Sequence, residues 1–272
     1  MSNESQKEAK PMDYEIAVMS YERPDRLVEL TLATLERHKA ENNRITVFVA
    51  NQQQAEIYAQ VVPSTIRIEV TELGHFNSIR SAQQFYPAGT RLIIMDDDIR
   101  AIEQKNDNIL EQFNGTLDDL AELGFNICET NDCRMWGVYP ARNAFYMSDE
   151  AVIGLRYIIG CLWGTYAQDI AIMTDQRLFD SSGNDFETTL QSFRHHGKVA
   201  RLEYITANTK YFAEGGIDAE LKHRGIDNRQ TDHTKLLRRI ASRHPQLAST
   251  YTKANGVTNL RLKTITARRI PR

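Results

Sequence analysis

Three consecutive aspartates close a short apolar run, Arg91-Leu92-Ile93-Ile94-Met95-Asp96-Asp97-Asp98-Ile99, and this stretch narrows what the chain can fold into. Bounded by Gly89-Thr90, the run is too short for a helix of its own and predicts a buried strand. Three charges cannot point into a core, so they belong where the chain emerges, at the strand's C-terminal end. In an open α/β sheet that end faces the ligand crevice. Carboxylates this crowded repel one another unless a hydrogen-bond network or a hard cation separates them, and Mg²⁺ or Mn²⁺ held together with substrate phosphates is a common arrangement. The plainer alternative is a solvated acidic turn.

The pattern upstream favours the crevice. Tyr14–Met19, Arg44–Ala50 and Ile66–Val70 predict strands, and Leu27, Leu30, Thr31, Thr34 and Leu35 recur at helical spacing. Helices are also expected near Gln54–Val61 and over Gly74–Phe85, the latter carrying Asn77 and Arg80. Strand and helix in alternation predict a doubly wound α/β fold with a mostly parallel sheet. The loop Ser20-Tyr21-Glu22-Arg23-Pro24 then faces the aspartates across one crevice, which suits a nucleotide. Neither GxGxxG nor GxxxxGK[ST] occurs, which excludes the usual dinucleotide and P-loop signatures.

Farther along, Ile109–Phe125 is expected to be helical, and Met135–Asn143 packs Trp136, Tyr139, Arg142 and Asn143 into a turn-rich stretch suited to contacts. Ile158–Gly164 predicts a buried strand whose glycines permit close backbone approach, with Trp163 inside it. Each tryptophan serves either core packing or ligand stacking. Asp185 and Glu187 open a helix that ends at His195-His196-Gly197, where first-turn carboxylates serve either as caps or as groups aimed at a crevice.

Charge is uneven. Residues 234–272 contain ten of the 33 Lys and Arg and no Asp or Glu, leaving 23 positive residues against all 36 acidic ones in the rest. A basic end on an acidic body points to a polyanionic partner, with a solvated basic tail as the alternative. Nothing approaches a transmembrane span or a secretory segment, so no membrane partner is expected. Three cysteines without a CxxC or Cys/His cluster suggest a reducing compartment, the cytoplasm, and no structural zinc.

These motifs together resemble the GT-A glycosyltransferases. Asp96-Asp97-Asp98 is similar to that superfamily's DXD motif, Ser20–Pro24 to its first nucleotide loop, and Asp185 with Arg194 and Gly197 to its acidic helix. Trp136-Gly137-Val138-Tyr139-Pro140 and Phe212-Ala213-Glu214-Gly215-Gly216 narrow the resemblance to the TET-associated glycosyltransferases, mostly virus-encoded relatives of the base J glucosyltransferase that glycosylate hydroxymethyl-pyrimidines in DNA. The resemblance spans roughly residues 14–240.

It implies a GT-A fold divided into a tail (1–12), a nucleotide-sugar-binding half (13–100), an acceptor and catalytic half (101–233) and a basic C-terminal segment (234–272). It implies inverting transfer from a UDP-sugar to 5-hydroxymethylcytosine or another 5-hydroxymethyl-pyrimidine in DNA, in the host cytoplasm for a virus-encoded member. Asp96 and Asp98, with His223 or His233, would hold Mn²⁺ or Mg²⁺. Ser20, Tyr21, Arg23, Asn77, Arg80, Asp96 and Asp97 would bind the donor. Asp185 or Glu187 would be the base, and Trp136, Tyr139, Arg142, Asn143 and Trp163 would meet the acceptor, which the basic segment holds. A glycan or lipid acceptor, a non-catalytic nucleotide-sugar or DNA-binding module and a sugar nucleotidyltransferase are the competing readings.

Overall fold

The structure is a computed structural model describing residues 12–173, 184–209, 229–254 and 256–272. The motif Phe212–Gly216, His223 and the turn Ser181-Ser182-Gly183 lie outside the described residues.

Strands β1 (Glu15–Met19), β2 (Ile45–Val49), β3 (Arg67–Val70) and β4 (Arg91–Asp96) are parallel neighbours in the order β3-β2-β1-β4. Helices α1 (24–37), α2 (Gln52–Tyr58) and α3 (His75–Phe85) connect them. This is the expected Rossmann-like alternation of parallel strands and helices. Ile16, Val18, Val47, Ile93 and Met95 enter one core, while Ala17, Met19, Phe48, Leu92 and Ile94 enter the core on the opposite face. Burial on both faces is why these strands read as continuous apolar runs.

Beyond Asp98 the sheet continues with mostly antiparallel pairings, one neighbouring pair being parallel. Among the described residues the remaining strands are β5 (Ile99–Asn106), β6 (Ile109–Gln112), β7 (Met135–Tyr139), β8 (Glu150–Leu155), β9 (Leu162–Tyr166), β10 (Val199–Thr209), β11 (Ala248–Thr252), β12 (Thr258–Leu262) and β13 (Ile265–Pro271). The main sheet runs β13-β8-β10-β7-β9-β4-β1-β2-β3, with the β5–β6 hairpin joined to β10. The helix expected over Ile109–Phe125 is therefore divided. A two-residue loop with Asp107 at φ 50° turns β5 into β6, and α4 (Leu117–Asn131) starts only after the capping box of Thr116 and Asp119.

Helix α5 (Asn184–His196) matches the expectation for that segment. Helix α6 (Arg229–Arg243) and the β11–β12 hairpin pack Leu236, Leu237, Ile240, Ala248 and Leu260 against Leu155 and Leu190. Among the described residues no helix is long and apolar enough to cross a membrane.

Both tryptophans belong to the core. Trp136 is fully buried, and a Cβ on Gly124 or Gly164 would lie 2.2 or 2.1 Å from its indole atoms. Those two glycines form the slot for the ring. Their closeness to tryptophan reflects packing within the chain, so Trp136 and Trp163 do not stack on an acceptor.

Candidate active site

The site starts from how the aspartate loop is fastened. Helix α1 holds a π-helical stretch, Leu27–Leu32, that contains Thr31. The Thr31 hydroxyl donates to the Asp96 carbonyl at 2.8 Å and accepts from the Ile99 amide at 3.0 Å; Thr34 donates to the Ile99 carbonyl at 2.9 Å. One extra residue per turn is a frequent local distortion at functional sites, and here it occurs where α1 anchors the loop on both sides of the three carboxylates.

The three aspartates then diverge. Asp97 is buried, accepting from Ser20 Oγ at 2.6 Å and Arg23 Nη1 at 3.2 Å. Its carboxylate is engaged in fixing the Ser20–Arg23 loop and is not open to a ribose. Tyr58 on α2 completes that anchor, its hydroxyl 2.6 Å from Ser20 Oγ and accepting from the Arg23 amide at 2.9 Å. Asp96 and Asp98 remain partly exposed at the end of β4, with Arg23 Nη1 3.6 Å from Asp98. Burial, followed by the charge of neighbouring aspartates, pushes both carboxyls well above the usual range.

Asp185, in the first turn of α5, faces the same space across the Gly160-Cys161 turn. The Cys161 carbonyl accepts from the Asp96 amide at 3.0 Å, and a Cβ on Gly160 would stand 3.4 Å from the Asp185 Cβ. Asp185 adds to the charge acting on Asp96. Its carboxylate accepts from the Tyr157 hydroxyl and from the Phe186 amide at 3.0 Å, and burial raises its pKa. Tyr157 in turn stacks on Phe186 with ring centroids 4.3 Å apart. Two histidines complete the surroundings. His75 Nε2 lies 3.9 Å from Asp96, just after Gly74 at φ 124°, and both His75 and His233 act electrostatically on Asp185.

The other expected residues divide. Arg80 has a buried Nε with no hydrogen-bond partner among the described residues, as suits an anion-binding side chain. Tyr21 is half-buried on the first loop, and Asn77 donates to the Leu73 carbonyl of its own helix start at 2.8 Å. Arg142 grips Glu103 with two bonds of 2.6 and 2.7 Å, while Asn143 caps the following turn. Tyr139 lies beneath the Arg201 guanidinium at 5.1 Å. Glu187 is fully buried, accepting from Arg243 at 2.6 Å, His244 at 3.0 Å and Gln191 at 2.8 Å. It fastens α6 to α5 and is not placed to meet a substrate. Sequence reasoning missed Tyr58, His75 and Tyr157, although Gly74-His75 at a helix start was a usable signal.

Among the described residues no group of three or more His, Cys, Asp or Glu side chains forms a ready metal cage. Asp96 and Asp98 nonetheless fit a hard divalent cation of the Mg²⁺ type, which takes one or two carboxylates and completes its shell with water and substrate phosphates. Two oxygen donors held in mutual repulsion are the chemistry such an ion relieves.

No protein-family model and no curated protein sequence matches the chain. The resemblance to the TET-associated enzymes therefore rests on its motifs alone. Among solved structures, the chain is similar to CMP:2-keto-3-deoxy-manno-octonic acid synthetase complexed with CTP, at 9% identity and a TM-score of 0.41 over 70% of this chain and 89% of that one. It is also similar to 4-diphosphocytidyl-2C-methyl-D-erythritol synthase from Anaerococcus prevotii, at 12% identity and a TM-score of 0.43 over 79% of this chain and all of that one. Neither likeness assigns a substrate or a reaction to this chain.

Proposed function

We propose that the chain is an inverting, metal-dependent glycosyltransferase that uses a UDP-sugar. The observation that carries this reading is the convergence of Asp96, Asp98 and Asp185 across the Gly160-Cys161 turn, beside the loop held by Asp97. The acceptor oxygen bonds to the anomeric carbon, the bond from that carbon to the diphosphate breaks, and its electron pair leaves with UDP. Asp185 takes the acceptor proton as general base; its raised pKa brings it nearer to neutrality, where such a base is most effective. Tyr157 fixes the carboxylate's orientation. Asp96 and Asp98 would hold Mg²⁺ or Mn²⁺, which would supply positive charge against the diphosphate leaving group. Ser20, Tyr21 and Arg23 frame the base, and Arg80 meets ribose or phosphate.

For the acceptor we favour a 5-hydroxymethyl-pyrimidine in DNA, most specifically 5-hydroxymethylcytosine. The motif resemblance and the acid-free basic segment of residues 234–272 support it. The test incubates the protein and Mn²⁺ with a panel of UDP-sugars and DNA containing cytosine, thymine, 5-methylcytosine or 5-hydroxymethylcytosine, followed by mass spectrometry of the nucleosides. The expected result is a sugar adduct restricted to the hydroxymethylated DNA. Transfer to a glycan or lipid instead would replace the acceptor while keeping the reaction. Formation of a nucleotide-sugar from a nucleoside triphosphate would replace the reaction itself.

A further inference from the structure

With both tryptophans inside the core, the acceptor side needs another recognition surface, and one stands on the same edge of the sheet. Strand β9 begins beside Asp96, since Leu162 pairs with Met95. Strand β7 is antiparallel to β9 and pairs Gly137 with Trp163, so Tyr139 and the chain after it emerge on the edge that carries the aspartates. The short turn Ala144–Tyr146 follows. It presents Phe145 and Tyr146 at 77% and 68% exposure, as an edge-to-face pair with centroids 5.0 Å apart. Two adjacent aromatics this exposed add little to the core among the described residues, and exposed apolar groups beside a site mark a contact surface.

The surroundings are joined to the centre and carry several arginines paired with carboxylates, Arg201 with Glu203 and Arg142 with Glu103. Tyr146 is within electrostatic reach of Tyr139, whose ring lies under Arg201. Arg201 donates to the Tyr157 carbonyl at 3.0 Å, and Tyr157 holds Asp185. On the other flank, β13 runs antiparallel to β8 and brings the basic end of the chain to this edge. The Arg272 amide donates to the Asp149 carbonyl at 2.8 Å, three residues beyond Tyr146, and exposed Arg269 pairs with Glu150 at 2.7 Å.

We propose that Phe145 and Tyr146 form a stacking platform for an unpaired base of a polynucleotide acceptor, with the exposed Arg269 holding the flanking phosphate. Aromatic faces accept any base, while guanidinium groups track the backbone, and together they make a single-strand binding surface. The proposal rests on the acceptor class given above and supplies the aromatic contacts that Trp136 and Trp163 do not.

The test measures binding of a single-stranded oligonucleotide carrying one 2-aminopurine, without donor or metal. The base's fluorescence should be quenched by the intact protein. The Phe145→Ala/Tyr146→Ala double variant should lose that quench and bind about tenfold more weakly or worse. Phe145→Tyr/Tyr146→Phe should restore both. Arg269→Gln should flatten the salt dependence by about 0.7 in slope for its one phosphate contact. Matching thermal melts exclude unfolding as the cause, since both aromatics are exposed. Unchanged quenching in the alanine variant overturns the platform. So does a concentration-dependent dimer of the wild type that the same two substitutions abolish. Because binding is read without turnover, stacking that persists while no sugar is transferred would refute the glycosyltransferase reading and leave the platform standing.

Discussion

Asp185 and Glu187 lie two residues apart in one helical turn, yet they are held in opposite ways. Glu187 is sealed from water, but Arg243, His244 and Gln191 meet its oxygens, and their hydrogen bonds outweigh desolvation and bring its pKa below the ordinary 4.5. Asp185 has Tyr157 and one backbone amide, with Asp96 nearby and like in charge, and desolvation keeps its pKa raised. In the aspartate loop the difference lies in the pairing alone: Asp97 is held inward by Ser20 and Arg23, although burial still raises its pKa, while Asp96 and Asp98 are raised by burial and by neighbouring aspartates. A buried carboxylate matched by cations secures structure, and an unmatched one is kept at a cost to stability where a substrate can use it.

The largest expected effect follows from exchanging the two residues of α5 one at a time. Asp185→Asn should lower sugar transfer by about 10²- to 10⁴-fold, the usual worth of a general base, while a melt of the variant should be no lower than that of the parent. Asp98→Asn should silence turnover with the same intact melt. If Glu187→Gln, and not Asp185→Asn, proved inactive while still folded, the comparison would be reversed.

Next in size, Glu187→Gln should destabilise the protein by about 3 kcal/mol, because Arg243 and His244 would face a neutral group. A urea titration followed by far-ultraviolet circular dichroism reads this. An unchanged midpoint would show that α6 does not depend on that carboxylate.

The same residue sets an acid sensitivity. With its folded pKa depressed, Glu187 contributes stability that is present above its ordinary pKa and is lost as pH falls through the lower folded value. Stability of the wild type and Glu187→Gln, compared from pH 7 to pH 3, should therefore converge at the acid end. Parallel curves would contradict the linkage.

The smallest effect is a gain. Asp96 has a raised folded pKa, so its cost is absent below the ordinary 3.8 and grows as pH rises through the folded value. Water still reaches a third of its side chain, which screens part of that cost. In chelator, Asp96→Asn should raise the melting temperature by about 2–4 °C at pH 8.5, equivalent to roughly 1 kcal/mol, and leave it unmoved at pH 3. A loss at both pH values would mean that the aspartate loop is matched as Glu187 is.

The parallel half was legible in the sequence because its strands bury both faces, and apolar runs such as Leu92–Met95 are the direct imprint of that burial. The Asp96–Asp98 loop and Asp185 were legible because charge at a strand or helix end has few places to go. Contacts at long range were not. Glu187 is explained by Arg243 and His244, more than 50 residues away, and no local pattern marks them. Ile109–Phe125 misled because Leu117, Leu120 and Phe125 extend an apolar rhythm across Gly115-Thr116, where the capping box begins a separate helix. Glycines beside tryptophan announced a close approach correctly, and the object approaching was the protein's own indole.

That indole slot has a practical consequence. The chain has two tryptophans, and both are shielded from water. Ultraviolet emission from the protein therefore reports on the integrity of its interior. The spectrum should shift to the red as the core melts, and stay in place when nucleotide, metal or acceptor arrives at the crevice. Unfolding of each variant above can be followed without a label, whereas a ligand must carry its own chromophore to be seen.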